Sequence, residues 1–396
     1  MIKSYEYRIY PTEEQETQFK KIIGLNRLYW NICLAEKQKD HSFVIQSYKK
    51  VFLKYKPEAI DWVAEVNSMP LSQTWSDMKQ AFNNFFQSIK KQRKGKFVKE
   101  PKFKSKKNPK ESFRFRVDNS VFKDGKLMLS RKLGPINGAF HCSFMEGKFK
   151  NVTFKKTATG KWFVKICVEK KGEPKCNNGK IIGVDWNCRD EDFLVWSDGT
   201  RTKCPRFLRN KQKQLKHYQQ TLSRRFVKGA QEQSHNYLKA KYKVAKLYEK
   251  VSWQRKDWLH KLSREIANKY EFVVVEDINL TTMAQMHHGK AVGDQGFGAF
   301  RNMLAYKTNL IKVNPKNTSR TCNICGNVNE QLTLADCQWT CSICKTHHDR
   351  DINAAINILR LGTRITKGTM GTRQINACGE DFTSAKQESH KPSKGQ

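Results

Sequence analysis

The chain has 396 residues, with 75 Lys and Arg against 37 Asp and Glu, for a formal charge of +38. That balance excludes a neutral-surface metabolic enzyme and points to a polyanion as partner, nucleic acid first. A hydrophobic fraction of 38% with 11% aromatic residues supports cores in two or three domains and argues against wholesale disorder.

No 18-residue apolar run is present, and the start MIKSYEYRIYPTEEQ lacks the apolar centre of a signal peptide. The expectation is a protein that stays in a reducing cytosol and makes no membrane contact. Twelve cysteines are present, four of them at metal spacing. The others, Cys33, Cys142, Cys167, Cys176, Cys188, Cys204, Cys337 and Cys378, are scattered singly and read as free or buried thiols, not as a disulfide framework.

Residues 2–10 alternate as a strand, and Thr12 with Gln15 fits a capping box that opens a helix carrying Phe19, Ile22, Ile23, Asn26, Tyr29 and Trp30. A second helix is predicted over 71–89, with Leu71, Trp75, Met78, Phe82, Phe85 and Ile89 as its apolar stripe. That stripe is core, which leaves Ser72, Gln73, Ser76, Lys79, Gln80 and Asn83 outside as candidate base-edge or phosphate contacts. Residues 90–110 then hold a single acid, Glu100, among many Lys. Gly95, Pro101 and Pro109 forbid a long helix there, so the run reads as a basic loop, with Lys102 and Lys104 as candidate phosphate contacts. Residues 111–169 read as strands of a small antiparallel barrel, including a hairpin turn at Asp124-Gly125.

From Lys180 the pattern changes. Ile181–Val184 is a buried strand ending in Asp185, and Asp192–Trp196 is a second strand. Two basic amphipathic helices follow, about 205–226 and 234–269, expected to pack as an antiparallel pair. Phe272–Val275 is an apolar strand ending in Glu276. A glycine-containing flexible stretch leads to a helix from about Phe300. After about Lys367 the tail is polar and reads as mobile.

Two constellations carry chemistry. Cys322 and Cys325 form one CxxC knuckle, and Cys341 and Cys344 form another 15 residues on. Four thiolates so spaced fit one tetrahedral, structural zinc, with Gly326 and Lys345 where the chain must reverse. Cys337, His347 and His348 are nearby substitutes, although the simpler reading makes Cys337 a plain thiol and puts a histidine on the approach to the next motif. The second constellation is acidic. Asp185 and Glu276 end buried strands, and Asp351 begins the helix DINAAINILRL. A carboxylate ending an interior strand is costly without a partner, and three on separate elements suit two magnesium ions about 4 Å apart.

The segments GVDWN with its SDG turn, VVVEDINL, and TSRTCNICG…WTCSIC…HDRDINAAINI resemble the three RuvC motifs and inserted zinc ribbon of the TnpB family. These are insertion-sequence-encoded, RNA-guided nucleases related to compact type V CRISPR effectors. YRIYPTEEQ, PKFKSKK and the length are also similar. The resemblance implies an α+β multidomain protein: a wedge β-barrel (1–10 and 101–175), a helical recognition insert with its basic linker (11–100), an RNase H-like RuvC domain (178–317 and 348–366), the zinc ribbon (318–347) and a mobile tail (367–396). It implies Asp185, Glu276 and Asp351 as catalytic magnesium ligands, Arg350 as the arginine beside the last of them, and Cys322, Cys325, Cys341 and Cys344 as zinc ligands. It further implies a guide RNA from the transposon end, one chain per RNA, double-stranded target DNA, and a prokaryotic, nucleoid-associated protein.

One departure stands out. The family has Asp-Leu-Gly or Asp-Val-Gly where this chain has Asp185-Trp186-Asn187. Asn tolerates a left-handed turn as Gly does, and Trp186 is expected beneath the site. Two rival readings share the sequence: a compact CRISPR effector with another guide, and a binding protein regulating transposition whose nuclease is idle.

Overall fold

The computed structural model describes residues 2–93, 97–106, 111–117, 122–123, 125–141, 147–172, 175–187, 192–283, 289–333, 335–370 and 376–377. Asp124 of the predicted turn, Cys142, Cys188 and most of the tail, with Cys378, lie outside them. The chain divides into two units, Met1–Gly172 and Glu173–Gln396.

The first unit opens with β1 (Ile2–Tyr10) and α1 (Glu13–Lys39), followed by α2 (Tyr48–Tyr55), α3 (Ala59–Glu65) and α4 (Met69–Ile89). The Thr12–Gln15 capping box is formed in both directions. α4 starts two residues before the predicted Leu71, because Pro70 fits a first helical turn, where no N–H is needed. Strands β2 (Ser112–Arg116), β3 (Phe122–Lys123), β4 (Lys126–Met128), β5 (Pro135–Gly138), β6 (Lys148–Lys156) and β7 (Trp162–Glu169) complete a sheet ordered β2-β6-β7-β1-β5-β4-β3. Period-two burial along β7 marks one packed face. Phe19 of α1 is wholly buried on that face, 5.0 Å from the rings of Phe154 and Trp162. The edge strand β3 brings Phe122 within 6.3 Å of Phe149 on β6, so the sheet is strongly curled.

The second unit is built on β8 (Lys180–Trp186), β9 (Asp192–Trp196), β10 (Arg201–Lys203), β11 (Phe272–Glu276) and β12 (Asn309–Val313), in the order β10-β9-β8-β11-β12. β8, β11 and β12 are parallel, and β9 and β10 are antiparallel additions. The interior of this sheet reads as continuous apolar runs, as strands covered on both faces require. Between β10 and β11 come α5 (Gln212–Arg224) and α6 (His235–Lys269). α5 begins seven residues later than predicted. Residues after Pro205 form a short 3-10 turn instead, whose Leu208 and Arg209 amides are capped by the Asp294 carboxylate.

The glycine-containing stretch is more ordered than expected. α7 (Leu280–Met283) and α8 (Gly289–Gln295) precede α9 (Phe297–Lys307), and Gly296 at φ +69° joins the last two. Burial of Gln295, Phe297 and Phe300 overrides the weak local propensity. The ribbon strands β13 (Gln338–Thr340) and β14 (His347–Asp349) lead into α10 (Arg350–Met370), and β15 (Asn376–Ala377) pairs with the start of β8. Among the described residues, no helix is long and apolar enough to cross a membrane.

Candidate active site and metal centre

β8 and β11 run in parallel register from Ile181–Phe272 to Val184–Val275. Asp185 and Glu276 are the next residue on each strand, so two carboxylates leave the same sheet edge side by side. The carboxyl ends of parallel strands are where open α/β sheets bind ligands. The third acid arrives on α10, which packs across β8 and β11 at unusually close range. A Cβ on Gly183 would collide with the Ala355 carbonyl and Leu359, and one on Gly362 would collide with Val274. Asp349 caps this helix, its Oδ1 accepting the amides of Asp351 and Ile352 at 3.1 and 3.0 Å. Asp351 thus stands in the first turn, where the helix dipole favours negative charge.

Asp185 feels both of the other acids. Desolvation pushes the Asp185 pKa well up, and the charges of Glu276 and Asp351 push it further; the Arg350 charge opposes them. Glu276 is raised by desolvation, offset in part by the Thr318 hydroxyl, which donates to Oε1 at 2.5 Å. Such a group calls for a cation. All-oxygen donors suit magnesium. These residues therefore fit the group.

Several neighbours were not legible in the sequence. Arg201 on β10 binds Asp192 Oδ2 at 2.8 Å and Asp349 Oδ2 at 2.7 Å, and lies 3.9 Å from Asp351 Oδ2. Burial alone would raise the Asp192 pKa, but Arg201 and Lys203 hold it down. Asn187 does not use the left-handed conformation that asparagine tolerates. Its side chain instead donates to Asp351 Oδ2 at 2.9 Å. Trp186 stacks on Phe297 at 4.5 Å, and its indole N–H donates to Gln295 Oε1. Arg350 Nη1 is directed to the ribbon, donating to the carbonyls of Thr333 and Asp336 at 3.2 and 3.4 Å.

The ribbon sulfurs are closely gathered. All four lie within 4.8 Å of one another, with Cys322–Cys344 at 3.6 Å and Cys325–Cys341 at 3.5 Å. A tetrahedron with metal–sulfur bonds of about 2.3 Å has edges of roughly 3.8 Å, so the set fits one zinc ion. Both knuckles close with the same turn. The Gly326 amide donates to the Cys322 carbonyl and the Lys345 amide to that of Cys341, each at 3.0 Å, with φ of +79° and +59° at the donors. Hydrogen bonding from Thr346 lowers the Cys344 pKa to about 6, whereas desolvation pushes Cys322 up to about 12. A buried thiol of that kind ionises when a metal takes the place of its proton.

His348 is not part of the sulfur cluster. Its Nε2 lies 3.1 Å from Cys322 Sγ, as a partner to the ligand, and its ring packs 4.7 Å from Trp339. His347 pairs with Thr340, and Cys337 is an exposed thiol. The ribbon is tied to α10 by two asparagines a helical turn apart. Asn353 donates to the Thr321 carbonyl at 2.8 Å and accepts from the Asn323 amide, and Asn357 donates to the Thr318 carbonyl at 2.9 Å.

The candidate nucleic-acid contacts belong to the first unit. On α4, Ser76, Lys79, Gln80 and Asn83 are exposed, and Ser72 and Gln73 are half-buried. Gln80 reaches Asn84 at 2.9 Å, and the Lys79 ammonium lies 4.2 Å from the centre of the Trp75 ring. The basic run is docked in part. Trp30 donates to the Lys102 carbonyl, and Asn31 exchanges two hydrogen bonds with the Lys104 backbone. The Lys104 ammonium sits 3.6 Å over Trp30, and this desolvation lowers its pKa to about 8.

Three family profiles match. The one described as a probable transposase covers residues 165–287, the Cas12f1-like TNB domain covers 297–358, and a helix-turn-helix domain covers 1–42. In this chain the last segment holds β1 and the single helix α1. Among solved structures, a Cas12f1–sgRNA–target DNA complex aligns at a TM-score of 0.45 and 14% identity, over 90% of this chain and 98% of that one. The InsQ protein of Escherichia coli is 25% identical over 99% of this chain and 97% of its own length. A Streptomyces pristinaespiralis protein named "Putative RNA-guided DNA endonuclease" is 30% identical over 99% of this chain and 98% of its own. A TnpB-like protein of Methanocaldococcus jannaschii is 27% identical over 53% of this chain and 49% of its own. On the near full-length match at 30% identity, this chain belongs to the TnpB family of insertion-sequence proteins.

Proposed function

We propose that this chain is an RNA-guided DNA endonuclease, as two full-length relatives are named, and that its second unit carries an RNase H-like nuclease domain of RuvC type. The observation that carries this reading is the placement of Asp185 and Glu276 at two adjacent strand ends and Asp351 at a helix start, with Asp185 close enough to feel the charges of both others. The formal charge of +38 supplies the electrostatics for RNA and DNA together.

Asp185, Glu276 and Asp351 would hold the magnesium ions. The chemistry such ions supply when bound is charge stabilisation at the attacking and leaving oxygens of a phosphodiester displacement. The protein's own part is positional. Asp349 and the helix dipole fix Asp351, Arg201 neutralises Asp192 and Asp349 at the rim, and the Trp186–Phe297 stack makes a rigid, dry floor. Arg350 anchors the ribbon to the start of α10 and adds positive potential at Asp185. Zinc, held by Cys322, Cys325, Cys341 and Cys344, would be structural, since its four positions are filled by protein sulfur.

In this reading residues 1–10 and 101–175 form a wedge barrel, 11–100 a recognition insert, 178–317 and 348–366 the nuclease, and 318–347 the ribbon. A guide RNA from the element's own end binds one chain, and base pairing selects the DNA beside a short motif. The protein then works on the nucleoid of a prokaryotic cell. The Cas12f1-like match over 297–358 favours one related alternative, a compact type V effector with the same chemistry and a CRISPR-derived guide.

The test is cleavage of matched DNA by the protein with its copurified RNA. Asp185→Ala, Glu276→Ala and Asp351→Ala should each cost at least about a hundredfold in rate while sparing RNA binding. Near-normal cutting by any one of them removes that residue from the site.

A further inference from the structure

We infer that Asn187 and Thr318 are positioning residues for the two outer carboxylates: each donates one hydrogen bond to one oxygen of its acid and so fixes how that carboxylate is presented to a divalent cation. The inference rests on the nuclease reading above and adds to it roles for two residues other than the three acids and the zinc ligands.

The two contacts are alike in chemistry. Asn187 Nδ2 donates to Asp351 Oδ2 at 2.9 Å, and Thr318 Oγ1 donates to Glu276 Oε1 at 2.5 Å. Both residues are buried, at 9% and 6% exposure. An ionised carboxylate only accepts hydrogen bonds, so the amide must turn its nitrogen to Asp351. Both donors are also neutral. A lysine or arginine in their place would cancel the acid's charge and compete with a cation, whereas an amide or a hydroxyl orients the carboxylate and leaves its charge intact. Arg201 lies 3.9 Å from Asp351 and is bound more closely to Asp192 and Asp349.

Each donor is itself held. The Asn187 carbonyl accepts from Gln295 Nε2 at 3.0 Å, and the buried Gln295 accepts from the Trp186 indole at 2.8 Å. Trp186 lies flat on Phe297, with 6° between the rings. The Thr318 carbonyl is held by Asn357 of α10 at 2.9 Å, so the loop that leads into the first cysteine knuckle also fixes the hydroxyl on Glu276. Glycine at 187 would offer no donor to Asp351, and valine at 318 would keep the shape of threonine without its hydroxyl.

The experiment is Mn2+ binding to the full chain, followed by the electron paramagnetic resonance of free Mn2+, for wild type, Asn187→Ala, Thr318→Val, Thr318→Ser and Asp185→Asn. Asn187→Ala and Thr318→Val should each weaken Mn2+ binding about tenfold or more, with Thr318→Ser within about twofold of wild type, as expected for partners that orient metal ligands. Unchanged melting temperatures in metal-free buffer separate this from a loss of folding. Should Asn187→Ala fail to fold, Asn187→Ser replaces it, keeping a polar head too short to reach Asp351. Wild-type affinity in both donor variants, with binding lost in Asp185→Asn, overturns the inference and leaves the nuclease reading standing. Absence of any Asp185-dependent Mn2+ binding in the wild type overturns both.

Discussion

Asp185 and Glu276 each stand one residue beyond the paired Val184 and Val275, so two acids share one edge of a parallel sheet. Neighbouring strands are about 4.8 Å apart, a separation at which two desolvated carboxylates resist joint ionisation. The metal-free fold carries this as a destabilisation at neutral pH.

That destabilisation has a sign that can be measured. The Asp185 pKa is raised in the folded state, so the folded chain binds its proton more tightly than the unfolded one. The stability this contributes is present below the unfolded value of about 3.9 and is lost as pH rises through the folded pKa. In chelator at pH 8, Asp185→Asn should therefore melt above the wild type, by about 2–4 °C for each kcal/mol relieved. The gap should close as pH falls towards about 4, and magnesium should raise the melting temperature of the wild type more than that of the variant. A variant that melts below the wild type at pH 8 in chelator contradicts this account of the site.

Much of the site is legible in the sequence because each part leaves a local signature. An apolar run ending in an acid gives Asp185 and Glu276, and the CxxC spacing gives the four sulfurs. Arg201 leaves none, and although Asn187 and Thr318 fall inside motif segments, their roles come from residues far away in the chain. Asn187 meets Asp351 across 164 positions, and Thr318 meets Glu276 across 42. The same holds for the fold. α1 declares itself by its capping box and α4 by its apolar stripe. α8 and the early start of α9 do not, because burial of Gln295 and Phe297 decides them against local glycine content. At position 187, where asparagine could tolerate a left-handed turn, the structure instead uses its side chain.

Gly183 sets how closely α10 approaches β8. Gly183→Ala drives a methyl group into the Ala355 carbonyl and Leu359, which are backbone and core with little room to yield. The expected cost is about 1–3 kcal/mol of stability, together with displacement of Asp351 and loss of cleavage. Denaturant unfolding measures the first and a cleavage assay the second. Wild-type stability and activity would show that the helix does not need this close approach.

The zinc ribbon should hold the start of α10 through Asn353 and Asn357. Cys322→Ser is expected to lower bound zinc from about one ion per chain towards zero, as a tetrahedral site loses a ligand. Amide exchange should then quicken both in the ribbon and in the first turns of α10, whose asparagines hold the Thr318 and Thr321 carbonyls. Elemental analysis and hydrogen exchange read the two effects. Wild-type protein without zinc contradicts the ribbon assignment.

We propose that Gln73, Gln80 and Asn83 on α4 read base edges of the motif beside the target. Replacing all three with alanine should relax or weaken the preference for the DNA motif beside the target, read from cleavage of a library randomised at that motif. An unchanged preference profile removes α4 from motif reading.

The central claim is that RNA supplies the sequence information and this chain the hydrolysis. The most direct measurement compares cleavage of one matched DNA by the full chain with its copurified RNA, after the RNA is removed, and after it is restored. Cutting should require the RNA, return with it and follow its sequence. RNA affinity should fall by roughly a thousandfold or more between 50 and 200 mM salt if six to ten phosphates are contacted. Cleavage of the same site by RNA-free protein would contradict the account and leave a plain DNA nuclease in its place.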